Sequence, residues 1–510
     1  MALEFYNLIL DNANTNPDHH AIIDGDSTLT YKDLLTQIDN FSRALGTLDL
    51  NENSKIGILC LNQKEHLIAL LASFCKGLPI IPLNALFNSE TLAFIVKDAS
   101  IDHLLINPLF IKEETAVFFS SFKKIILTGP TEKSKLLKND VVSFEDFLKK
   151  GEKDPAPIKY HERPSTTPDV ILYTSGTTDQ PKGVPLSEKQ FYLNTGAFLD
   201  RLNFKASDKA IVALPLFHSF GNIMVLALFR IGGTLIMLPQ FAPKTILSLI
   251  EKHKATVLPL VPTIYSFLID LYLKGNYDIS TLRLCISGGA SLAEALLHRV
   301  EETLGVTVLE GYGLTETSPV LSVNSALEGS IPGSVGKPLA NVKLKILDES
   351  GSLVPQGSVG EILVKGPTIM GGYWNSPEDT KLAFDDEGWF RTGDLGHIDE
   401  KGRLFISAGR KKDLIIRAGE NVSPLAIENR LIQHPLIAED AAVGVPHDRL
   451  GEQIKACIVT REGNELTTGA IKGFCKETLP SYMIPDLVQF YNELPKNQTG
   501  KIIKTKLQEN

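Results

Sequence analysis

The stretch Tyr173-Thr-Ser-Gly-Thr-Thr-Asp-Gln-Pro-Lys-Gly-Val184 decides how the rest of the chain is read. The apolar run Val170-Ile-Leu-Tyr173 that leads into it has the character of a buried strand. The run opens into hydroxyl and glycine residues, then into a lysine. Glycine lets a backbone curl so that several N–H groups converge, which makes a nest for an anion. Thr174, Ser175, Gly176, Thr177 and Thr178 supply that nest and its hydroxyl donors, and Lys182 supplies a point charge suited to phosphate. A Ser/Thr/Gly cluster is more often a plain surface loop. A hydroxyl run closed by Pro-Lys-Gly is more specific than that. The GxxxxGK[ST] spacing of a Walker A loop is absent.

Working outward, Thr30-Tyr-Lys-Asp33 is a capping-box pattern, and Leu34, Ile38, Phe41 and Leu45 follow at helical spacing. Residues 55–61 read as a buried strand, 66–74 as a helix and 79–83 as the next strand, with further strands at His103–Ile106 and 124–128. This rhythm implies a parallel sheet with right-handed crossovers. Charge and proline over 151–168 suggest an exposed connector into the hydroxyl-rich loop. The rhythm resumes with strands expected at 210–214, 234–238, 256–261, 282–287 and 306–310. Between 341 and 408, short β runs alternate with glycine turns, which predicts a small β-barrel or sandwich. The last hundred or so residues return to mixed α/β.

A chain of 510 residues with 43% hydrophobic content implies a globular protein of more than one domain. The net charge of −9 leaves no footprint for nucleic acid and no general attraction to anionic lipid. Transient membrane contact would need a local basic or apolar patch. The five cysteines, Cys60, Cys75, Cys285, Cys457 and Cys475, lack CxxC pairing, which suggests core thiols, a reducing compartment and no structural zinc. The longest apolar stretch, 223–238, is cut by Arg230 and Gly232-Gly233, which argues against a membrane span. No signal peptide or peroxisomal address is apparent, so the cytoplasm is the expected location.

Seven further motifs occur in order: Pro215-Leu-Phe-His-Ser-Phe-Gly221, Ser287-Gly-Gly-Ala-Ser291, Gly311-Tyr-Gly-Leu-Thr-Glu-Thr317, Trp389-Phe-Arg-Thr-Gly-Asp394, Gly409-Arg-Lys-Lys-Asp413, Gly419-Glu-Asn-Val-Ser-Pro424 and Leu494-Pro-Lys-Asn-Gln-Thr-Gly-Lys501. With these, nearly the whole chain resembles the adenylate-forming (acyl-CoA synthetase, AMP-binding) superfamily, most closely its medium- and long-chain fatty acid–CoA ligases. The resemblance implies an α/β fold. A large N-terminal AMP-binding domain, residues 1–409, would hold two βα-layered subdomains and a small β-barrel. A small mobile α+β domain, residues 410–510, would follow, with its hinge near Lys412.

Residue roles follow from the same resemblance. His218 would position the acyl carboxylate; alone, it would be a core histidine after a buried strand. Gly288, Gly289 and Ala290 would lie against adenine, and Tyr312, between Gly311 and Gly313, would stack on it. Thr315 would bond the α-phosphate and Glu316 would hold Mg²⁺, with Thr174 a second metal contact. The bland alternative for Thr315 and Glu316 is helix capping. Asp394 would accept both ribose hydroxyls, since an acceptor-only carboxylate suits a diol. Arg410 would reach ribose or phosphate, while Lys411 suits a solvated face. Gly419 and Glu420 would line a pantetheine tunnel. Lys501 would be the catalytic lysine rather than a lysine on a fraying tail. Two departures stand out: Asp179 where the family usually has glycine, and Ser187-Glu188 in place of Thr-His.

The implied reaction joins a carboxylic acid to ATP as acyl-AMP and passes the acyl group to coenzyme A, with Mg²⁺ as metal. Phe217, Phe220, Met224 and Tyr265 suggest an apolar tunnel for a fatty acid, though core packing explains them as well. A fatty acyl-AMP ligase serving a carrier protein is the nearest alternative. A non-catalytic adenylate-binding protein is the alternative from another class, and Asp179 favours it. The oligomeric state is open, a homodimer included.

Overall fold

The computed structural model describes residues 3–85, 87–112, 116–130, 132–138, 140–154, 167–174, 180–240, 242–410, 413–417, 420–447, 450–461, 466–496 and 502–509. Two sheets carry most of the chain. The first has seven strands in the spatial order Asp140–Ser143, Lys124–Leu127, His103–Ile106, Ile56–Leu59, Ile80–Pro82, Val170–Thr174 and Lys182–Leu186. Every pairing is parallel except the last, a hairpin. The strands expected at 55–61, 79–83, His103–Ile106 and 124–128 all belong to it. Their residues are buried throughout and, apart from His103 and Lys124 at the strand starts, apolar, as suits parallel strands covered on both faces.

The second sheet has nine strands in the order Lys337–Pro338, Val320–Val323, Thr307–Gly313, Leu284–Ser287, Val257–Leu260, Lys209–Val212, Thr234–Met237, His20–Asp24 and Ser27–Thr30. Its last two strands come from the N-terminus. Ile22 pairs with Leu235 and Ile23 with Ile236 in parallel. The sequence reading has no strand there.

Thr30 forms the expected capping box with Asp33 and starts the helix Tyr31–Leu45. Leu34, Ile38, Phe41 and Leu45 are fully buried, each worth roughly 2 kcal/mol of apolar transfer. Phe41 stacks on Phe144 at 5.4 Å and meets Phe147 edge-on at 5.1 Å, tying this helix to Phe144–Glu152.

Between 341 and 410 the structure forms a four-stranded antiparallel sheet in the order Lys343–Leu347, Gly360–Lys365, Phe390–Ile398, Leu404–Arg410. The strands follow an open path rather than closing as the expected small barrel. Closure needs both outer strands to pair with each other, whereas the outer strand Leu404–Arg410 bridges instead to Ser334 through Phe405.

After residue 413, strands Ile415–Arg417, Glu420–Val422, Ile437–His447, Gly451–Thr460 and Leu487–Phe490 form one sheet. Its core is its own: Ile415, Val422, Ile427, Leu431, Ile437, Ile454 and Ile471 pack together. All five cysteines are buried free thiols. No described helix is long and apolar enough to cross a membrane. The apolar stretch 223–238 is instead the helix Ser219–Ile231 and the strand Thr234–Met237, divided at Gly232.

Candidate active site

The hydroxyl-rich stretch is the connection of a hairpin. Strands Val170–Thr174 and Lys182–Leu186 run antiparallel with Thr174 opposite Lys182, so those two residues flank the mouth of the loop. Ser175, Gly176, Thr177, Thr178 and Asp179 lie outside the described residues. The Lys182 ammonium pairs with the Asp379 carboxylate and sits 5.3 Å from the Tyr373 ring centroid. Lys182 holds the Asp379 carboxyl below its ordinary range, helped by the Ser376 hydroxyl, which donates to it at 2.6 Å. The Tyr373 hydroxyl in turn donates to Glu316 Oε1 at 2.8 Å. One aromatic residue therefore touches both the proposed phosphate cation and the proposed metal carboxylate.

Thr315 and Glu316 form a short 3₁₀ turn after the strand Thr307–Gly313. The Thr315 hydroxyl lies 3.3 Å from Ser219 Oγ and is buried. Ser219 opens the helix Ser219–Ile231, and His218 is that helix's N-cap, its Nδ1 accepting from the Phe220 N–H at 3.5 Å. The Phe220 ring packs over Gly288, where a Cβ would come within 3.2 Å of it. Gly289 and Ala290 follow in the turn after the strand Leu284–Ser287. Gly311, Tyr312 and Gly313 end the strand Thr307–Gly313, and a Cβ at Gly313 would stand 2.0 Å from the Pro319 carbonyl oxygen. The Tyr312 hydroxyl donates to Asp394 Oδ2 at 2.6 Å. Asp394 is buried and lies opposite Arg410 across the Phe390–Ile398 and Leu404–Arg410 strands.

The predicted residues thus sort into three sets. Thr174, Lys182, His218, Gly288, Tyr312, Thr315, Glu316 and Asp394 connect through Tyr373, Ser219, Phe220 and the segment 311–317. Arg410 and Glu420 are placed by backbone alone, Glu420 opening the strand Glu420–Val422. Lys412, Gly419 and Lys501 lie outside the described residues.

One expectation is corrected. Tyr265 does not line a tunnel: it is fully buried, and its hydroxyl donates to the Leu258 carbonyl at 2.6 Å and the Ile286 carbonyl at 3.2 Å. Ser187 and Glu188 have architectural duties. Ser187 forms a capping box with Gln190, and buried Glu188 accepts the Phe5 N–H at 2.8 Å.

Sequence reasoning missed four residues beside the site. Tyr373 sits in the stretch Met370-Gly-Gly-Tyr-Trp374 and Asp379 in the helix Pro377–Ala383. Glu310, directly before the Gly311-Tyr-Gly run, accepts the Leu292 N–H at 2.9 Å, and burial pushes its carboxyl up to about 8. Asn62 leaves the first sheet to bond the second: its amide donates to the Val212 and Leu214 carbonyls at 3.1 and 2.9 Å and accepts the Leu216 N–H at 3.0 Å. Asn222 donates to the Leu216 carbonyl at 2.7 Å, so the backbone leading to His218 is held from two sides. A buried polar residue just past a parallel strand is the signal that could have found Asn62.

Two outcomes are expected. Asn62→Ala strips three backbone partners in a buried place and should cost about 2–3 kcal/mol, read by denaturant unfolding, with a raised KM for the acid. Asp379→Asn frees Lys182 from an internal competitor for triphosphate. It should lower the KM for ATP about threefold, measured by pyrophosphate exchange against ATP concentration.

The chain is similar to known proteins over nearly its whole length. Residues 9–374 match the AMP-binding enzyme family and residues 426–501 match the AMP-binding enzyme C-terminal domain. The long-chain-fatty-acid–CoA ligase of Bacillus subtilis (strain 168) is 32% identical, over 98% of this chain and 93% of that protein. The oxalate–CoA ligase of Arabidopsis thaliana is also 32% identical, over 97% of this chain and 96% of that protein. The crystal structure of ATP-bound MatB from Rhodopseudomonas palustris has a TM-score of 0.87 at 30% identity, covering 100% of this chain and 99% of that one. A matched family spanning most of the chain, on a fold shared from end to end, leaves one conclusion: the chain belongs to the AMP-binding enzymes and is an AMP-forming acid–thiol ligase.

Proposed function

We propose that the enzyme activates an apolar monocarboxylic acid, a fatty acid first of all, and transfers it to coenzyme A. What supports this reading is a charge pattern. The segments 217–225, 261–266 and 287–292, which border the proposed acyl site, contain no Asp, Glu, Lys or Arg. A dicarboxylate would need a fixed cation to meet its second charge. Phe217, Phe220 and Met224 offer apolar surface instead.

In the first step the acid's carboxylate oxygen attacks the α-phosphorus of ATP, forming the acyl–phosphate bond while pyrophosphate leaves. In the second, the coenzyme A thiol attacks the acyl carbonyl, loses its proton, and AMP leaves. The first step sets an anion against a polyanion. Two unit charges 4 Å apart repel by about 4 kcal/mol at an effective dielectric constant near 20. Lys182 and Lys501 are the cations we assign to offset this, with Thr315 donating to the α-phosphate and His218 orienting the acid. No described group of three or more His, Cys, Asp or Glu could hold a metal. Magnesium does not require one, since it binds through one or two carboxylates together with substrate phosphate. The Glu316 carboxylate, with the Thr174 hydroxyl as second contact, fits that need, and the ion would supply charge neutralisation when bound. Tyr312, with Gly288–Ala290, would border adenine, and Asp394 would take the ribose diol once its Tyr312 hydrogen bond is exchanged.

Thiol attack needs an opening for pantetheine where the first step needs a lysine. Rotation of residues 410–510 about Lys412, presenting Lys501 and then the Gly419-Glu420 loop, would serve both. The test is AMP release over acids from acetate to long-chain fatty acids, with dicarboxylates included and either coenzyme A or a carrier protein as acceptor. Highest kcat/KM with a medium- or long-chain acid and coenzyme A is expected; preference for a dicarboxylate or for the carrier would overturn the assignment.

A further inference from the structure

The helix Pro262–Lys274 starts beside the candidate adenine loop, Val261 being the side chain nearest the open face of Gly289. Its far end carries contacts that belong to none of the chemistry above. The Asp270 carboxylate accepts Arg461 at 2.9 Å through one oxygen, and Arg299 of the helix Glu294–Leu304 through the other. Arg461 follows the strand Gly451–Thr460, and its Nε donates to the Pro435 carbonyl at 3.1 Å. Three residues from Asp270, and so on the same helix face, stands Phe267, 44% exposed. The Lys496 ammonium lies 5.4 Å from its ring centroid and pairs with Glu439 at 2.6 Å.

Each cation is therefore tied within the C-terminal unit and reaches across to one helix of the large one. Lys496 also has a second position of interest. It pairs with Ile502 in an isolated antiparallel bridge, and the Ile503 N–H donates to the Pro495 carbonyl at 2.7 Å. That bridge joins the described residues on either side of 497–501.

We propose that Phe267 and Asp270 form a dock by which this helix holds the C-terminal unit, through Lys496 and Arg461, in the pose that serves adenylate formation. The inference rests on the two-step reading above. All four are positioning residues, and none touches substrate. Partly exposed ion pairs and cation–π contacts are weak. A dock made of them can release for the second step, where a large apolar interface could not.

The two half-reactions separate this role from a structural one. Asp270→Asn should lower ATP–pyrophosphate exchange about three- to fivefold with the KM for the acid unchanged. Transfer from supplied acyl-AMP to coenzyme A should keep its wild-type rate. Arg461→Gln should do the same, and the double variant should be no slower than either single one. Phe267→Leu should give the same selective loss. Equal slowing of both half-reactions, additive losses in the double variant, or unchanged exchange in all three single variants would refute the dock. A wild-type chain that forms no adenylate from any acid refutes the two-step reading and takes the dock with it, and that result precedes any variant.

Discussion

Lys501→Ala should lower ATP–pyrophosphate exchange about 10²- to 10³-fold, the usual loss when one preorganised charge donor to a transition state is removed. Transfer of the acyl group from supplied acyl-AMP to coenzyme A should continue near the wild-type rate. The asymmetry follows from charge. Adenylate formation brings a carboxylate against triphosphate, and each cation present must neutralise charge that grows as the bond forms. Thiol attack on the adenylate adds no second anion to that crowd. Lys182 is already engaged by Asp379 and the Tyr373 ring, so it is not expected to replace the missing amine. Lys501→Arg keeps the charge but not the compact ammonium, and should recover only part of the rate. Exchange at wild-type rate in Lys501→Ala would remove the lysine from the mechanism.

The second large effect concerns Glu310. Its carboxyl stands near 8 rather than its ordinary 4.5 because burial penalises the charged form, while the hydrogen bond from Leu292 opposes the shift. The folded value lies above the unfolded one. Glu310 therefore costs nothing below about 4.5, where both states are protonated, and its penalty accumulates as pH rises toward 8. Above that, the folded chain carries a buried carboxylate costing on the order of 5 kcal/mol. Glu310→Gln keeps an oxygen to accept the Leu292 N–H and does not titrate. The variant should match wild type near pH 4 and exceed it by a few kcal/mol near pH 9, read from denaturant midpoints. Parallel stability curves across that range would show that Glu310 does not ionise in a buried setting.

Much of the fold was open to reading because the first sheet obeys a simple rule. Buried parallel strands are short apolar runs, and His103–Ile106 appears with the bounds expected. The hairpin His20–Asp24 and Ser27–Thr30 was hidden for the opposite reason. Four of its nine residues are Ser, Thr or His, and its partner lies far downstream, so neither length nor pattern announced it. The site divides the same way. Motifs that are contiguous in sequence, such as Gly311–Thr317, carried their residue types on the surface of the text. Asp379 did not, since it meets Lys182 across 197 positions. The partners of Asn62 were likewise hidden, because they are backbone groups about 150 positions away, at and after the end of the strand Lys209–Val212. Side-chain contacts that join distant segments are decided by packing, and no local pattern encodes them.

The N-terminal hairpin also sets an order of events. Ile22 and Ile23 pair with Leu235 and Ile236. On a ribosome the hairpin emerges about two hundred residues before the strand it must lie against. At about 5–20 residues per second the wait is roughly ten to forty seconds. Through that interval two short strands and the buried face of the helix Glu4–Thr15 lack the sheet they are built around. The apolar face of the hairpin therefore stays without its native cover until residue 237 arrives.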